Sequence, residues 1–281
     1  MATGSFAPGK IILAGEYAVV FGYPGLAIPA KIGITAMHTS ETESHGTRPM
    51  RIDWPEAPAL WIVYLERIIA ECERIAGKSF AGTLAIQNDL PLGRGMGSST
   101  ALVIAVARCL LGKDCEQEAK RVEDTVSPGN SGLDFAVIWQ NKALRFQKEK
   151  PSSSVEIIDP LLKNAVLIDT DAPNETTAEL VAWIKDRHHT APDTIDQTLS
   201  IIGACADRLI GGESPLTVFP DHHRAQMELG VVPPKTAELI VSIEKSGGSA
   251  KVIGAGARTG GGGMVLAVHP EPSALAQFQV L

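Results

Sequence analysis

The segment Pro91-Leu-Gly-Arg-Gly-Met-Gly-Ser-Ser-Thr100 sets three alternating glycines, Gly93, Gly95 and Gly97, ahead of three hydroxyl residues and a long apolar stretch. Glycine admits positive φ and lets the backbone come close to a ligand. Free N–H groups running into a helix N-terminus bind anions, because those donors lack intrahelical partners and the helix dipole favours negative charge. The hydroxyls of Ser98, Ser99 and Thr100 can cap the helix, touch phosphate or ligate a magnesium ion. Arg94 adds a positive charge within the loop. Read alone, the segment fits an anion cradle or a plain strand-to-helix turn with a serine cap. It does not fit a Walker loop, which ends in Gly-Lys-Ser/Thr, since Ser98 follows Gly97 directly. It does not fit the dinucleotide fingerprint either, for Gly93-x-Gly95-x-x-Ser98 lacks the third glycine.

Three further segments carry matching chemistry. Phe6-Ala-Pro-Gly-Lys10 puts a lysine at the edge of a strand, with Gly15-Glu-Tyr-Ala-Val-Val20 behind it. Ser127-Pro-Gly-Asn-Ser-Gly-Leu-Asp134 reads as a turn-rich loop ending in a carboxylate. Gly254-Ala-Gly256 and Gly260-Gly-Gly-Gly263 make a second flexible loop between two strands. A lysine, an aspartate and two glycine loops suit phosphoryl transfer to an alcohol, where catalysis is mainly positioning and charge neutralisation. By contrast, Asp221-His-His223 reads as part of a polar helical stretch and His188-His189 as a solvated helix end, neither as a metal site. Cys72, Cys109, Cys115 and Cys205 form no CxxC pair, so zinc is not expected and free thiols in a reducing cytosol are.

The elements that must position these residues mix strands and helices. Strands are expected over Lys10–Ala14, Leu26–Pro29, Ile32–Thr35, Gly82–Ile86, Ala143–Phe146, Ala165–Ile168, Lys251–Ile253 and Met264–Val268. Helices are expected over Ala59–Ile75, Ser99–Leu111, Glu116–Val126, Thr177–Asp186 and Asp193–Leu209, with Arg224–Leu229 helical and a further helix starting near Pro233. Ser40–Pro49 reads as a polar loop. The class is α+β or α/β. The polar break Lys148–Ser154 divides the chain into expected domains 1–150 and 151–281. The 281 residues carry a net charge of −7, which argues against nucleic-acid or anionic-membrane partners. No apolar run approaches the ~20 residues of a membrane span, and no leader is evident, so a cytoplasmic protein is expected.

Three segments, in order, resemble the motifs of the GHMP kinases: Ala7-Pro-Gly-Lys-Ile-Ile-Leu-Ala-Gly-Glu16, Pro91 to Ser99, and Lys251-Val-Ile-Gly-Ala-Gly256 with the glycine run behind it. Within that superfamily the chain is most similar to the mevalonate kinases of bacterial type, through Gly15-Glu-Tyr-Ala-Val-Val-Phe-Gly-Tyr-Pro24, Ser131-Gly-Leu-Asp134, Leu144-Arg-Phe146, Leu167-Ile-Asp-Thr170 and Met227-Glu-Leu-Gly-Val231. It departs from them at Tyr17 and Ser127, where that family usually carries histidine, and at Ala257-Arg-Thr259, which interrupts the last glycine motif.

The resemblance implies an α+β, two-domain fold with the active site between the domains, and ATP-dependent phosphorylation of the primary hydroxyl of mevalonate. Phosphomevalonate kinase and a non-catalytic ligand-binding protein on the same fold are the alternatives. It also implies roles. Pro91, Gly93, Arg94, Gly95, Met96, Gly97, Ser98, Ser99 and Thr100 would hold ATP. Mg2+ would sit on Ser98 or Ser99 and on Glu123. Lys10 and Asp134 would be catalytic. Asp134 would take the alcohol proton, although a neighbouring cation weakens a carboxylate as a base; alternatively, Lys10 would stabilise the developing alkoxide. Lys10, Glu16, Tyr17 and Asp134 would face the acceptor, with Gly254, Ala255 and Gly256 closing over it. A homodimer is expected by analogy alone.

Overall fold

The structure, a computed structural model, describes residues 2–40, 50–157, 159–275 and 279–280. Its strands form two sheets. The first contains β1 (Ala2–Ala14), β2 (Gly25–Thr39), β3 (Arg51–Asp53), β4 (Thr83–Asn88), β5 (Leu144–Phe146) and β6 (Ser153–Ser154). Its path runs β3-β4-β2-β5-β6, with β1 antiparallel to β2. The second contains β7 (Val166–Asp169), β8 (Ser249–Val252), β9 (Met264–Val268) and β10 (Gln279–Val280), in the order β10-β7-β9-β8.

The helices that matter for the site are α1 (Ala59–Ala76), α2 (Ser98–Leu111), α3 (Glu116–Val126) and α4 (Leu133–Gln140), followed after the first sheet by α5 (Pro160–Lys163), α6 (Thr177–Thr190), α7 (Pro192–Ile210), α8 (Pro215–Glu228) and α9 (Pro234–Lys245). Helix α2 is apolar on every face, and Thr100–Ala107 are all buried between β1, β2, α1, α3 and α4. That burial fixes the N-terminal end of α2 beneath the glycine loop. The four cysteines are buried free thiols. No described helix is long and apolar enough to cross a membrane.

Several expectations change in detail. The two strand pieces expected at 26–29 and 32–35 belong to one continuous strand, β2, despite Pro29. Pro29 lies opposite Lys10, where the β1–β2 register shifts between Pro8 and Lys10, so its missing N–H falls where the ladder is already broken. Lys10 gives its own N–H to Met96 O at 2.9 Å instead. The loop expected to end in Asp134 stops two residues short, at Gly132, and Asp134 lies in the first turn of α4. The helical stretch expected from Arg224 begins at Pro215. The short strand β3 has no sequence counterpart in the expectations. Of the polar loop expected at 40–49, positions 41–49 lie outside the described residues.

Candidate phosphoryl-transfer site

Lys10 enters the site from β1 at the point where its pairing with β2 shifts register. Its ammonium donates to Gly95 O at 2.8 Å and lies 3.4 Å from Asp134 Oδ1. Lys10 is 3% exposed, whereas the Asp134 side chain is 34% exposed, so the pair has a buried end and an open end. Asp134 also sits at the positive end of the α4 dipole, which favours a carboxylate. Gly97 explains how the loop lies so close. A Cβ there would stand 2.9 Å from Lys10 Cγ and 3.3 Å from Asp134 Oδ2. The loop folds back on itself through Gly93 N–H, which donates to Ser98 Oγ at 3.1 Å.

Below the loop, Thr100 donates to Glu123 Oε1 at 2.8 Å. Glu123 is buried on α3, and its second oxygen has no hydrogen-bond partner among the described residues. Burial pushes its carboxyl up to about 7; the Thr100 hydrogen bond opposes this and nearby Asp134 adds to it. Among the described residues no three His, Cys, Asp or Glu side chains group as a metal cage. Magnesium does not require one, since it commonly takes one or two carboxylates and completes its shell with substrate phosphates and water. A hydroxyl at Ser98 and an unsatisfied carboxylate oxygen at Glu123 fit that donor set.

The second glycine loop meets the first backbone to backbone. A Cβ on Gly95 would lie 2.6 Å from Ile253 O. Met264 N–H donates to Arg94 O at 3.1 Å. The Arg94 guanidinium, expected to offer charge to phosphate, forms an ion pair with Asp169 at the end of β7. The Arg258-Thr259 interruption is held from the β7–α6 connection, where Glu175 accepts from both backbone N–H groups and from the Thr259 hydroxyl.

Tyr17 has a left-handed backbone, φ 63°, at the mouth of the turn after β1. Its hydroxyl donates to Ala255 O at 2.5 Å, tying that turn to the second glycine loop. Burial drives its phenol pKa above the usual value, with Glu16 and Glu175 adding to the effect.

Glu16 departs from expectation. Rather than facing an open acceptor site, its carboxylate is buried against Lys251 of β8 and His222 of α8, with His222 Nε2 at 2.9 Å. Burial would raise this carboxyl, but Lys251 and His222 together hold it down at about 2. The reading of Asp221-His-His223 as part of a polar helical stretch is therefore also corrected in part: the stretch is helical, but its histidines are not on a polar face. His222 and His223 are buried, and only Asp221 stays at the surface side, paired with Arg208 and Arg224. The i, i+4 spacing of His222 and Gln226 on α8 was the available sequence signal. Both residues point at β8 and the turn after β1, with Gln226 donating to Val252 O at 2.9 Å.

Residues 63–139 match the family described as GHMP kinases N terminal domain. Over 306 aligned residues the chain is 28% identical to the mevalonate kinase of Thermococcus sibiricus, covering 94% of this chain and 88% of that protein. It is 25% identical to that of Pyrococcus horikoshii, with the same coverage. These curated relatives are archaeal, where the motifs suggested the bacterial type. Among solved structures, the mevalonate kinase of Methanococcus jannaschii has a TM-score of 0.76 at 19% identity, covering 100% of this chain and 96% of that one. The L. major mevalonate kinase in complex with R-mevalonate has a TM-score of 0.75 at 15% identity, covering 96% and 88%. The Streptococcus pneumoniae phosphomevalonate kinase with phosphomevalonate and AMPPNP has a TM-score of 0.70 at 17% identity, covering 98% and 93%. At these identities the solved structures establish the shared fold.

Proposed function

Because the chain carries the N-terminal domain of the GHMP kinases and is similar to mevalonate kinases along nearly its whole length, we propose that it transfers the γ-phosphoryl group of ATP to the primary hydroxyl of mevalonate. The observation that carries this reading is the Lys10–Asp134 pair, 3.4 Å apart, with Lys10 locked onto the glycine loop by its bond to Gly95 O. In this arrangement the loop N–H groups and the N-terminus of α2 bind the phosphates. Asp134, on the exposed side, orients the acceptor hydroxyl and receives its proton. Lys10 lies between that carboxylate and the loop, where it neutralises charge building up on the transferred group. Ser98 and Glu123 would hold Mg2+, which, when bound, offsets phosphate charge. The phosphate loop comes from the proposed domain 1–150 and the closing glycine loop from the proposed domain 151–281, which puts the site between them.

The test is ADP release by the purified chain, with ATP and with mevalonate or phosphomevalonate offered separately. Release that depends on mevalonate supports the reading. Release with phosphomevalonate alone moves the acceptor one step along. No release with either overturns the kinase assignment.

A further inference from the structure

Three titratable side chains from three distant segments meet in the interior. Glu16 lies just past β1, His222 on α8 and Lys251 on β8, and their side chains are 1%, 0% and 0% exposed. Phosphoryl transfer as described above uses none of them. Lys251 donates to the Glu16 carboxylate and, at 3.1 Å, to Ile12 O. Burial and the nearby Lys251 ammonium push the His222 imidazole below its usual pKa, with the Glu16 carboxylate opposing them, and its Nε2 lies 2.9 Å from the second Glu16 oxygen. Taking such ions out of water costs several kcal/mol each, and an apolar trio would fill the space more cheaply. A buried ion pair does, however, demand one geometry. The Lys251 ammonium has to reach a carboxylate and a backbone carbonyl together, and a one-residue slip of β8 would turn it to the opposite face of the sheet.

What that geometry fixes is visible from the neighbours. Ile12 shares β1 with Lys10. Glu16 precedes Tyr17, whose hydroxyl holds Ala255 O. Lys251 lies in the strand that runs into Gly254, and Gly254 rests against Gly95. We propose that Glu16, His222 and Lys251 form a buried positioning clasp that sets the distance between the strand carrying Lys10 and the loop Gly254–Gly256, and so the width of the acceptor pocket. The proposal deepens the kinase reading and rests on it. It also gives Glu16 a role that requires no contact with the acceptor.

The test compares wild type with the double variant Glu16→Gln/Lys251→Met, which removes both charges together and so avoids the unpaired buried ion that either single change would leave. Steady-state kinetics are run with mevalonate and ATP varied in turn, and hydrogen–deuterium exchange is followed over residues 249–257. The clasp predicts a folded double variant whose KM for the acceptor rises about tenfold or more while its KM for ATP changes less than about threefold. It also predicts faster exchange at 252–257 with no change along α2. A merely structural pair would lower the melting temperature and leave the ratio of the two KM values alone. A folded double variant with wild-type acceptor KM and wild-type exchange overturns the proposal. Should the double variant not fold, His222→Gln, which leaves the Glu16–Lys251 pair in place, is read the same way, with a smaller selective rise in acceptor KM expected and an unchanged one overturning the clasp. Absence of wild-type turnover with mevalonate and with phosphomevalonate would refute the kinase reading instead, and the exchange comparison would still decide on the clasp.

Discussion

Replacing Gly254 by alanine puts a methyl carbon 2.7 Å from Gly95 Cα and 3.1 Å from Gly95 O. Both are backbone atoms, so no side-chain rotation relieves the contact. Carbon atoms settle about 3.5–4.0 Å apart, so the two glycine loops would have to separate by about 1 Å. Gly254 also has φ +74°, a conformation that costs a non-glycine residue on the order of 1–3 kcal/mol. Gly77 is the control. It ends α1 at φ +65°, with nothing within 4 Å of an added Cβ, so Gly77→Ala carries the backbone cost without the clash. In urea unfolding, Gly77→Ala is expected to lose about 1 kcal/mol, and Gly254→Ala about 2–4 kcal/mol once crowding is added. Kinetics separate them further. A displacement of about 1 Å at a reacting centre can cost roughly 100-fold, so kcat/KM should fall by about that factor in Gly254→Ala and stay at wild type in Gly77→Ala. If Gly254→Ala matched Gly77→Ala in both stability and kcat/KM, the meeting of the two loops would not be what shapes the site.

Asp134→Ala should abolish turnover while leaving the ATP dissociation constant within about threefold of wild type, and retained turnover would refute its role. Glu123→Gln keeps a partner for Thr100 but removes a carboxylate whose pKa burial has raised to about 7. Ionising that group in the folded state costs stability increasingly as pH rises from its ordinary 4.5 to about 7. The glutamine variant should therefore unfold later than wild type at pH 8 without magnesium, with the advantage vanishing below the ordinary carboxylate range, and it should need more Mg2+ for activity. Glu16 has the opposite sign. Held near 2 against an ordinary 4.5, it contributes stability that is complete above 4.5 and lost as pH falls toward 2. Acid unfolding followed by circular dichroism should show that slope in wild type and lack it in Glu16→Gln.

The meeting of the glycine loop with Lys10 and Asp134 was legible in the sequence because glycines at fixed spacing announce a backbone requirement and a lone lysine or aspartate beside them announces charge. Gly93, Gly95 and Gly97 do take the positive φ that glycine was expected to allow, and the close neighbours of Gly95 and Gly97 are Ile253 O and Lys10. Glu16 was misread because its partners are distant, with Lys251 lying 235 positions away and no local pattern joining them. The histidines misled for a related reason. Asp221 and Arg224 flank them and are polar, but on a helix His222 faces inward while Asp221 turns toward Arg208. Arg94 looked like a free phosphate ligand until β7 brought Asp169 alongside it. In the fold, β2 was read as two pieces, 26–29 and 32–35, and only its pairing with β1, whose register shifts between Pro8 and Lys10, shows how one strand carries Pro29.

The central claim, transfer of a phosphoryl group to mevalonate at the Lys10–Asp134 pair, is tested most directly by mass spectrometry of the acceptor after incubation with ATP and magnesium, with wild type and Asp134→Ala run side by side. The account predicts mevalonate carrying one added phosphoryl group on its primary oxygen with wild type, and unmodified mevalonate with the variant. Unmodified mevalonate with wild type, or equal phosphorylation by both proteins, would contradict it.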